Sequence, residues 1–98
     1  MALITNVSVP QIEQTVISRG DVIRVRRATE TTGRNGIVTR VTDTLIEILT
    51  SNIQNNATSF MQISAGDIAI GVWEIWWTND LLTVNYNPAA TAGGGTVD

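Results

Sequence analysis

The chain of 98 residues contains no cysteine, no histidine and no lysine. Without cysteine there is no disulfide framework, no thiolate nucleophile and no sulfur-ligated zinc site. Without histidine or lysine, acid–base and nucleophilic catalysis would fall to carboxylates, hydroxyls and arginine. The carboxylates are scattered singly, with neither a glycosidase pair nor a calcium-loop spacing. We therefore expect no enzyme, no catalytic residue, no cofactor and no metal.

Positive charge is also scarce, since arginine supplies all six basic residues and the net charge is −3. This balance disfavours nucleic acid as a partner, because a polyphosphate backbone is held mainly by basic side chains. No stretch approaches the roughly 20 apolar residues that span a bilayer, and the first residues lack a leader pattern. We expect no membrane partner and a cytoplasmic location, unless the protein belongs to a virion.

The composition predicts one folded domain with two appendages. Hydrophobic residues make up 43% of the chain, which is ordinary for a globular protein. We divide it into an extended N-terminal arm over residues 1–18, a β-rich body over 19–84 and a Gly/Ala-rich tail over 85–98. From Asn87 onward the tail has no large side chain to offset its ordering entropy, so we expect it to be flexible unless a neighbouring subunit orders it.

Period-two alternation in the body predicts an all-β fold. Ile23 and Val25 alternate with arginines, as in a strand with one buried and one solvent-exposed face. Gly36 closes the loop that follows, at a position that suits a small residue. Further strands are predicted at 37–42, 45–49, 60–63 and 72–78, with a helical turn at 65–68 and a sixth candidate strand at 81–84. Five or six strands at this spacing indicate a small barrel.

Several of these patterns carry a family resemblance. They are Gly20-Asp21-x-Ile23-x-Val25, Gly33-x-x-Gly36-x-Val38-x-x-Val41, Ile46-x-Ile48, and Asp67-Ile68 before Trp73–Trp77. Together they resemble a KOW or Tudor-type SH3-like barrel, which implies a small barrel of five to six strands, to which the composition adds the extended arm and the flexible tail. KOW modules bind RNA or a polymerase partner. Small SH3-like barrels with arms also resemble decoration, adaptor and tail-associated proteins of tailed bacteriophages.

Five arginines are the candidate contacts for an anion or a nucleic acid: Arg24, Arg26, Arg27, Arg34 and Arg40. Arg24, Arg26 and Arg40 are expected to share a face if the first two strands pair. Such a stripe would bind an anionic partner. The alternative, which we favour, is a solvated face on which Glu47 of the third strand is the cross-strand partner.

The pentad Trp73-Glu74-Ile75-Trp76-Trp77 is the most informative segment of the body. Strand alternation places Trp73, Ile75 and Trp77 in the core, and Glu74 and Trp76 on the opposite side. We predict that Trp76 is buried against a partner, because tryptophan is enriched at interface hot spots. The alternative is that it lies under the arm or the sixth strand of its own chain.

The arm supplies the other predicted interface residues, Leu3, Ile4, Val7 and Val9, in addition to Trp76 and Glu74. It has the apolar alternation of a strand but no obvious partner strand. Pro10 ends any backbone hydrogen-bond ladder there, because proline has no N–H to donate. Such an arm pairs either with its own barrel or with the sheet edge of a neighbour. We favour the neighbour.

These expectations favour a structural interaction protein that docks on a larger assembly or self-assembles. Its most concrete form is a bacteriophage virion component, such as a capsid decoration or adaptor protein, located in the virion. The partner is then a protein, either a second copy in a homo-oligomer or a larger shell or tail protein. The alternative is a KOW-like nucleic-acid-binding module that uses the five arginines.

Overall fold

The computed structural model describes residues 3–5, 9–52 and 57–89. These residues form eight strands and a short helix, in the order β1 (Ile4–Thr5), β2 (Gln11–Ile12), β3 (Val22–Arg27), β4 (Arg34–Val41), β5 (Leu45–Asn52), β6 (Ala57–Ser64), α1 (Ala65–Ala69), β7 (Trp73–Thr78) and β8 (Asn85–Asn87). Strands β1 and β2 form a two-stranded antiparallel sheet. The other six form one antiparallel sheet in the order β6-β5-β4-β3-β7-β8. The predicted all-β fold class is confirmed.

One face of the six-stranded sheet encloses the hydrophobic core. The buried apolar residues of β3 to β7 belong to a single cluster, an arrangement that is compatible with a small barrel-like fold. Trp73, Ile75 and Trp77 all lie in this cluster, which confirms their predicted inward orientation. Its sheet members are Ile23, Val25, Val38, Ile46, Ile48, Ile63, Trp73, Ile75 and Trp77.

The described part of the N-terminal arm packs onto the sheet of its own chain. Leu3, Ile12 and Ile17 are buried members of the core cluster. The indole Nε1–H of Trp77 donates a hydrogen bond of 2.7 Å to the carbonyl oxygen of Val16. This differs from the expected pairing with a neighbour, and the physical reason is that these apolar side chains complete the core of the chain itself.

Strands β5 and β6 extend further than the sequence predicted. They run to Asn52 and from Ala57, whereas the predicted strands covered 45–49 and 60–63. The added residues are mostly small and polar, and Ala57 to Ser59 are exposed. Backbone pairing between the two strands therefore continues where the apolar alternation has ended.

A turn, rather than the sixth predicted strand, occupies residues 81–84. The carboxylate oxygen Oδ1 of Asp80 accepts hydrogen bonds of 2.8 Å from the backbone N–H groups of Leu82 and Thr83. This side chain offers the backbone an alternative to strand pairing. The sixth strand of the sheet is β8, which pairs with β7, so the sheet continues past the predicted end of the body at residue 84.

The predicted helical turn is present as α1, a helix of five residues. The hydroxyl oxygen of Ser64 caps it by accepting a hydrogen bond from the backbone N–H of Asp67, and Ile68 anchors it in the core. Across the described ranges, no helix has both the length and the apolar character to cross a membrane.

Candidate interaction surface

The outer face of the six-stranded sheet carries a row of apolar side chains across four strands. Val22 of β3 pairs with Ile37 of β4, Ile37 with Leu49 of β5, and Leu49 with Phe60 of β6. Directly paired residues point to the same side of a sheet, so the four side chains are neighbours. Val22, Ile37 and Phe60 are 43%, 49% and 65% exposed. We call these four residues the outer apolar row.

Sequence reasoning missed the outer apolar row. The solvent-facing side of an antiparallel sheet ordinarily carries polar residues, and contiguous exposed apolar surface marks interaction sites. The sequence did contain an indication of the row. Val22 precedes the inward-facing Ile23 and Ile37 precedes Val38, so strand alternation places both apolar side chains on the outer face. Each strand contributes only one residue, however, and the row becomes visible only when the strand register is known.

A groove of about 190 Å³ lies next to this row. Val22 belongs to both features, so their apolar surfaces are continuous. The outer wall of the groove includes Arg24, Trp76, Thr78 and Val84. Strand β7 supplies Trp76, and the turn held by Asp80 supplies Val84. We call it the Trp76 groove.

Trp76 is half-buried between two neighbours of its own chain. Its ring centroid lies 5.4 Å from that of Tyr86 on β8, at an interplanar angle of 34°. The guanidinium of Arg24 lies 5.9 Å from the centroid on the adjacent strand, in reach of a cation–π contact. The Nη1 group of Arg24 also donates a hydrogen bond of 3.0 Å to Oδ1 of Asn35. The sixth strand therefore covers part of Trp76, while burial of the remainder against a partner stays a prediction.

Glu74 accepts hydrogen bonds from residues on the two strands that flank β7. The Nε–H of Arg26 donates to its Oε1 at 2.9 Å, and the hydroxyl of Tyr86 donates to its Oε2. The hydrogen bond from Tyr86 lowers the pKa of Glu74, and the hydrogen bond and positive charge of Arg26 lower it further. The same bond raises the pKa of Tyr86. Glu74, a predicted interface residue, thus ties β3, β7 and β8 together.

The Glu74 contacts predict a pH dependence of stability. A carboxyl whose pKa is lowered by folding stabilises the native state above its unfolded pKa, near 4.5, and loses that contribution as the pH falls through the folded pKa. We expect Glu74→Gln to weaken the decline in stability below pH 4.5, as measured by urea unfolding between about pH 3 and 7. Wild-type and variant curves that run parallel over this window would contradict the prediction.

The same network predicts an alkaline limit. The raised pKa of Tyr86 keeps its hydroxyl protonated in the folded state, so its contribution to stability is present below pH 10.0 and is lost as the pH rises through the folded pKa. Tyr86→Phe tests this, because it removes both the hydrogen-bond donor and the titrating group. In urea unfolding, the free energy of unfolding of this variant should decline less than that of the wild type as the pH rises above 10.0.

The five candidate arginines do not form one contiguous stripe. Arg40 pairs with Glu47 at 3.9 Å, as the favoured alternative predicted. Arg40 lies five residues after Asn35, the cross-strand partner of Arg24. Arg40 and Arg24 are therefore separated by roughly 17 Å along the strand direction. Arg27 stacks on Trp73 at 4.7 Å from the ring centroid, at the end of β3. Arg34 begins β4. The basic groups are dispersed, and Arg26 and Arg40 each face an acid.

The predicted interface residues of the arm have different surroundings. Leu3 is buried in the core of its own chain, which corrects its expected role as a partner contact: it presents no surface to another molecule. Ile4 is partly buried and packs against the same core. Val9 is exposed. Val7 lies outside the described residues.

Comparison with known families gives one match. Residues 3–84 match the family described as "Domain of unknown function (DUF5026)". The chain belongs to this family. The DUF5026 region contains the whole outer apolar row and Trp76, and it ends before β8. Neither the curated proteins nor the solved structures gave a match.

Within the described part of the chain, no cluster of three or more acidic, histidine or cysteine residues has a geometry that could hold a metal ion.

Proposed function

We propose that this DUF5026 chain is a structural interaction protein that docks onto a protein partner through the outer apolar row and the Trp76 groove. The observation that carries the proposal is the exposure of this row on a face that would ordinarily be polar. Each 100 Å² of apolar surface removed from water contributes roughly 2.5 kcal/mol, and specific interfaces bury about 1,200–2,000 Å² in total. The groove therefore has to add its area to that of the row.

The turn held by Asp80 adjoins the Trp76 groove, because Val84 at its end lines the groove. It exposes Leu81 and Leu82, which are 74% and 89% accessible. Leu81 has a φ of 63°, in the left-handed region that leucine rarely adopts. The Asp80 hydrogen bonds hold this conformation, although both leucines face solvent. Backbone strain that keeps apolar side chains exposed supports a binding role for this turn.

A protein partner fits this surface better than a nucleic acid. The exposed groups are mainly aliphatic and aromatic, the net charge is −3, and the arginines are dispersed. Phosphate binding requires several basic groups that are accessible together. The KOW-like module stays a prediction, which anisotropy titrations with single- and double-stranded oligonucleotides test. A KOW-like module would lose affinity steeply with rising salt concentration.

The SH3-like and virion assignments are further parts of this proposal. Five consecutive strands, β3 to β7, with a short helix before the last one, support the SH3-like assignment. The bacteriophage form, a capsid decoration or adaptor protein, is supported by the resemblance of small armed barrels to such components. In that form the docking contact would come from the sheet surface, because the described part of the arm packs on its own barrel.

Substitution of the outer apolar row tests the proposal. We expect the tagged chain, expressed in its source cells, to sediment with a larger assembly in sucrose gradients after gentle lysis. Val22→Lys and Ile37→Lys should reduce the assembled fraction at least tenfold, because each places a charge in a buried apolar contact. Mass spectrometry of the peak fraction then identifies the partner.

Ile70→Lys is the control, since Ile70 is also an exposed aliphatic residue, at 70%, but lies at the end of α1, outside the row and the groove. It should leave the assembled fraction unchanged. A wild-type chain that sediments alone would contradict the proposal, as would equal losses in all three variants. Circular dichroism verifies that every variant is folded.

A further inference from the structure

We propose that β6 is a dimerisation edge, at which the chain pairs antiparallel with β6 of a second copy. This inference rests on the proposed function, because it makes a second copy one partner of the outer face. Strand β6 stands at one end of the strand order and pairs with β5 alone among the described strands. Its other edge offers backbone N–H and C=O groups to an incoming strand.

The composition of β6 favours strand addition. Proteins protect exposed edges with short strands, charges, proline or bulges. Strand β6 has eight residues, Ala57–Ser64, with no charge, no proline and no glycine, and its pairing with β5 has an unbroken register. The opposite edge, β8, has only three residues. The two ends of the sheet therefore differ, and only β6 has the length for a stable strand pair.

The outer apolar row points to a second copy as the occupant. The row ends at the β6 edge with Phe60, which is 65% exposed. An antiparallel pair centred on Phe60 places it opposite Phe60 of the second copy, with Thr58 opposite Gln62. The two apolar rows then form one continuous row across the dimer. Aromatic side chains directly opposite each other are favourable cross-strand pairs.

The charge distribution is compatible with self-pairing. Two copies each carry a net charge of −3, so an acidic edge would oppose their association. Strand β6 contributes no charge. The nearest acid on the outer face of β5, Glu47, is paired with Arg40 and accepts a hydrogen bond of 3.3 Å from Gln62. Among the residues that the structure describes, no unpaired carboxylate of the outer face therefore lies in the strand contact.

Sedimentation velocity of the purified chain from about 5 to 500 µM tests the association. We expect the mass to rise with concentration from 10.6 kDa to twice that value. Phe60→Lys should weaken association at least tenfold, because it opposes like charges, and Phe60→Glu should do the same. An equimolar mixture of these two variants should associate more strongly than either alone. Ile70→Lys, the control of similar exposure, should associate as the wild type does.

A cysteine cross-link tests the register directly. The chain has no cysteine, so Phe60→Cys introduces a single thiol. Opposite residues of an antiparallel pair have Cα atoms about 4.5–5.5 Å apart, within the range that a disulfide bridges. We expect Phe60→Cys to form a disulfide dimer under mild oxidation at least ten times faster than Ile70→Cys.

A wild-type chain that stays monomeric throughout the concentration range would overturn the inference and leave docking on another protein intact. Association that survives Phe60→Lys but is lost in Ile37→Lys would also overturn it, while supporting the outer apolar row as the contact. The two residues separate the hypotheses because Ile37 lies two strands from Phe60, about 10 Å away.

Discussion

Replacing Trp77 by alanine should destabilise the protein by about 3–5 kcal/mol, as expected for a large aromatic residue removed from a packed core. Trp77 is almost fully buried in the cluster that joins the barrel to the N-terminal segment. Its loss removes apolar contacts and also leaves the carbonyl of Val16 without its 2.7 Å donor. Small domains have only about 5–15 kcal/mol of total stability, so this change takes a large share of it.

Urea unfolding followed by far-ultraviolet circular dichroism measures the Trp77 effect without relying on tryptophan fluorescence. Trp77→Phe separates its two causes, because it keeps an aromatic ring but removes the indole donor. Trp76→Ala is the control on the same strand. It should lower the free energy of unfolding by only about 1–2 kcal/mol, since Trp76 is half-buried beside Tyr86 and Arg24. A larger loss for Trp76→Ala than for Trp77→Ala would contradict the described core.

Replacing Gly36 by alanine should destabilise the protein by about 3 kcal/mol, near the upper end for an overpacked site. Gly36 lies within β4, opposite Thr50 of β5. A Cβ atom there would come within 2.3 Å of the carbonyl oxygen of Leu49 and 2.7 Å of Cγ2 of Ile48. The first contact is with backbone, which a side-chain rotation cannot relieve, so β4 and β5 would have to separate.

Gly66→Ala is the matched control for Gly36→Ala. An added Cβ at Gly66 in α1 finds its nearest neighbour, the hydroxyl oxygen of Ser64, at 4.0 Å. Alanine is favoured over glycine within a helix by up to about 1 kcal/mol, so this variant should be neutral or more stable. Thermal unfolding of both variants provides the comparison. Equal melting temperatures would show that the β4–β5 contact tolerates a methyl group.

Local sequence pattern was sufficient for the sheet side of the core but not for the packing of the N-terminal arm against it. Alternation placed Trp73, Ile75 and Trp77 inside because each strand has one apolar face, and this rule depends on neighbours two residues apart. The burial of Leu3 depends instead on which surface of the barrel stays open, a property of the assembled sheet. The arm has the same apolar alternation whether it packs on its own barrel or on a neighbour. The sequence therefore did not distinguish these two packing sites.

The candidate site was harder to predict because strand register creates it. The prediction for Arg40 and Glu47 succeeded, since adjacent strands joined by a short turn limit the possible pairings. Phe60 reaches the end of the outer apolar row only through three successive registers. The Asp80 turn was missed for a different reason: a carboxylate bonding two backbone N–H groups outweighed the apolar run that predicted a strand.

The position of β3 at the centre of the sheet has a consequence for folding kinetics. Strands β4, β5 and β6 pair with their neighbours in sequence, so these hairpins close short loops. The pairing of β3 with β7 joins Val22 to Thr78, and the Trp77–Val16 hydrogen bond spans 61 residues. Closing such long loops slows folding. We expect the β4–β6 meander to form first and the sheet to be completed last, so that a nascent chain acquires its core only after β7 has left the ribosome.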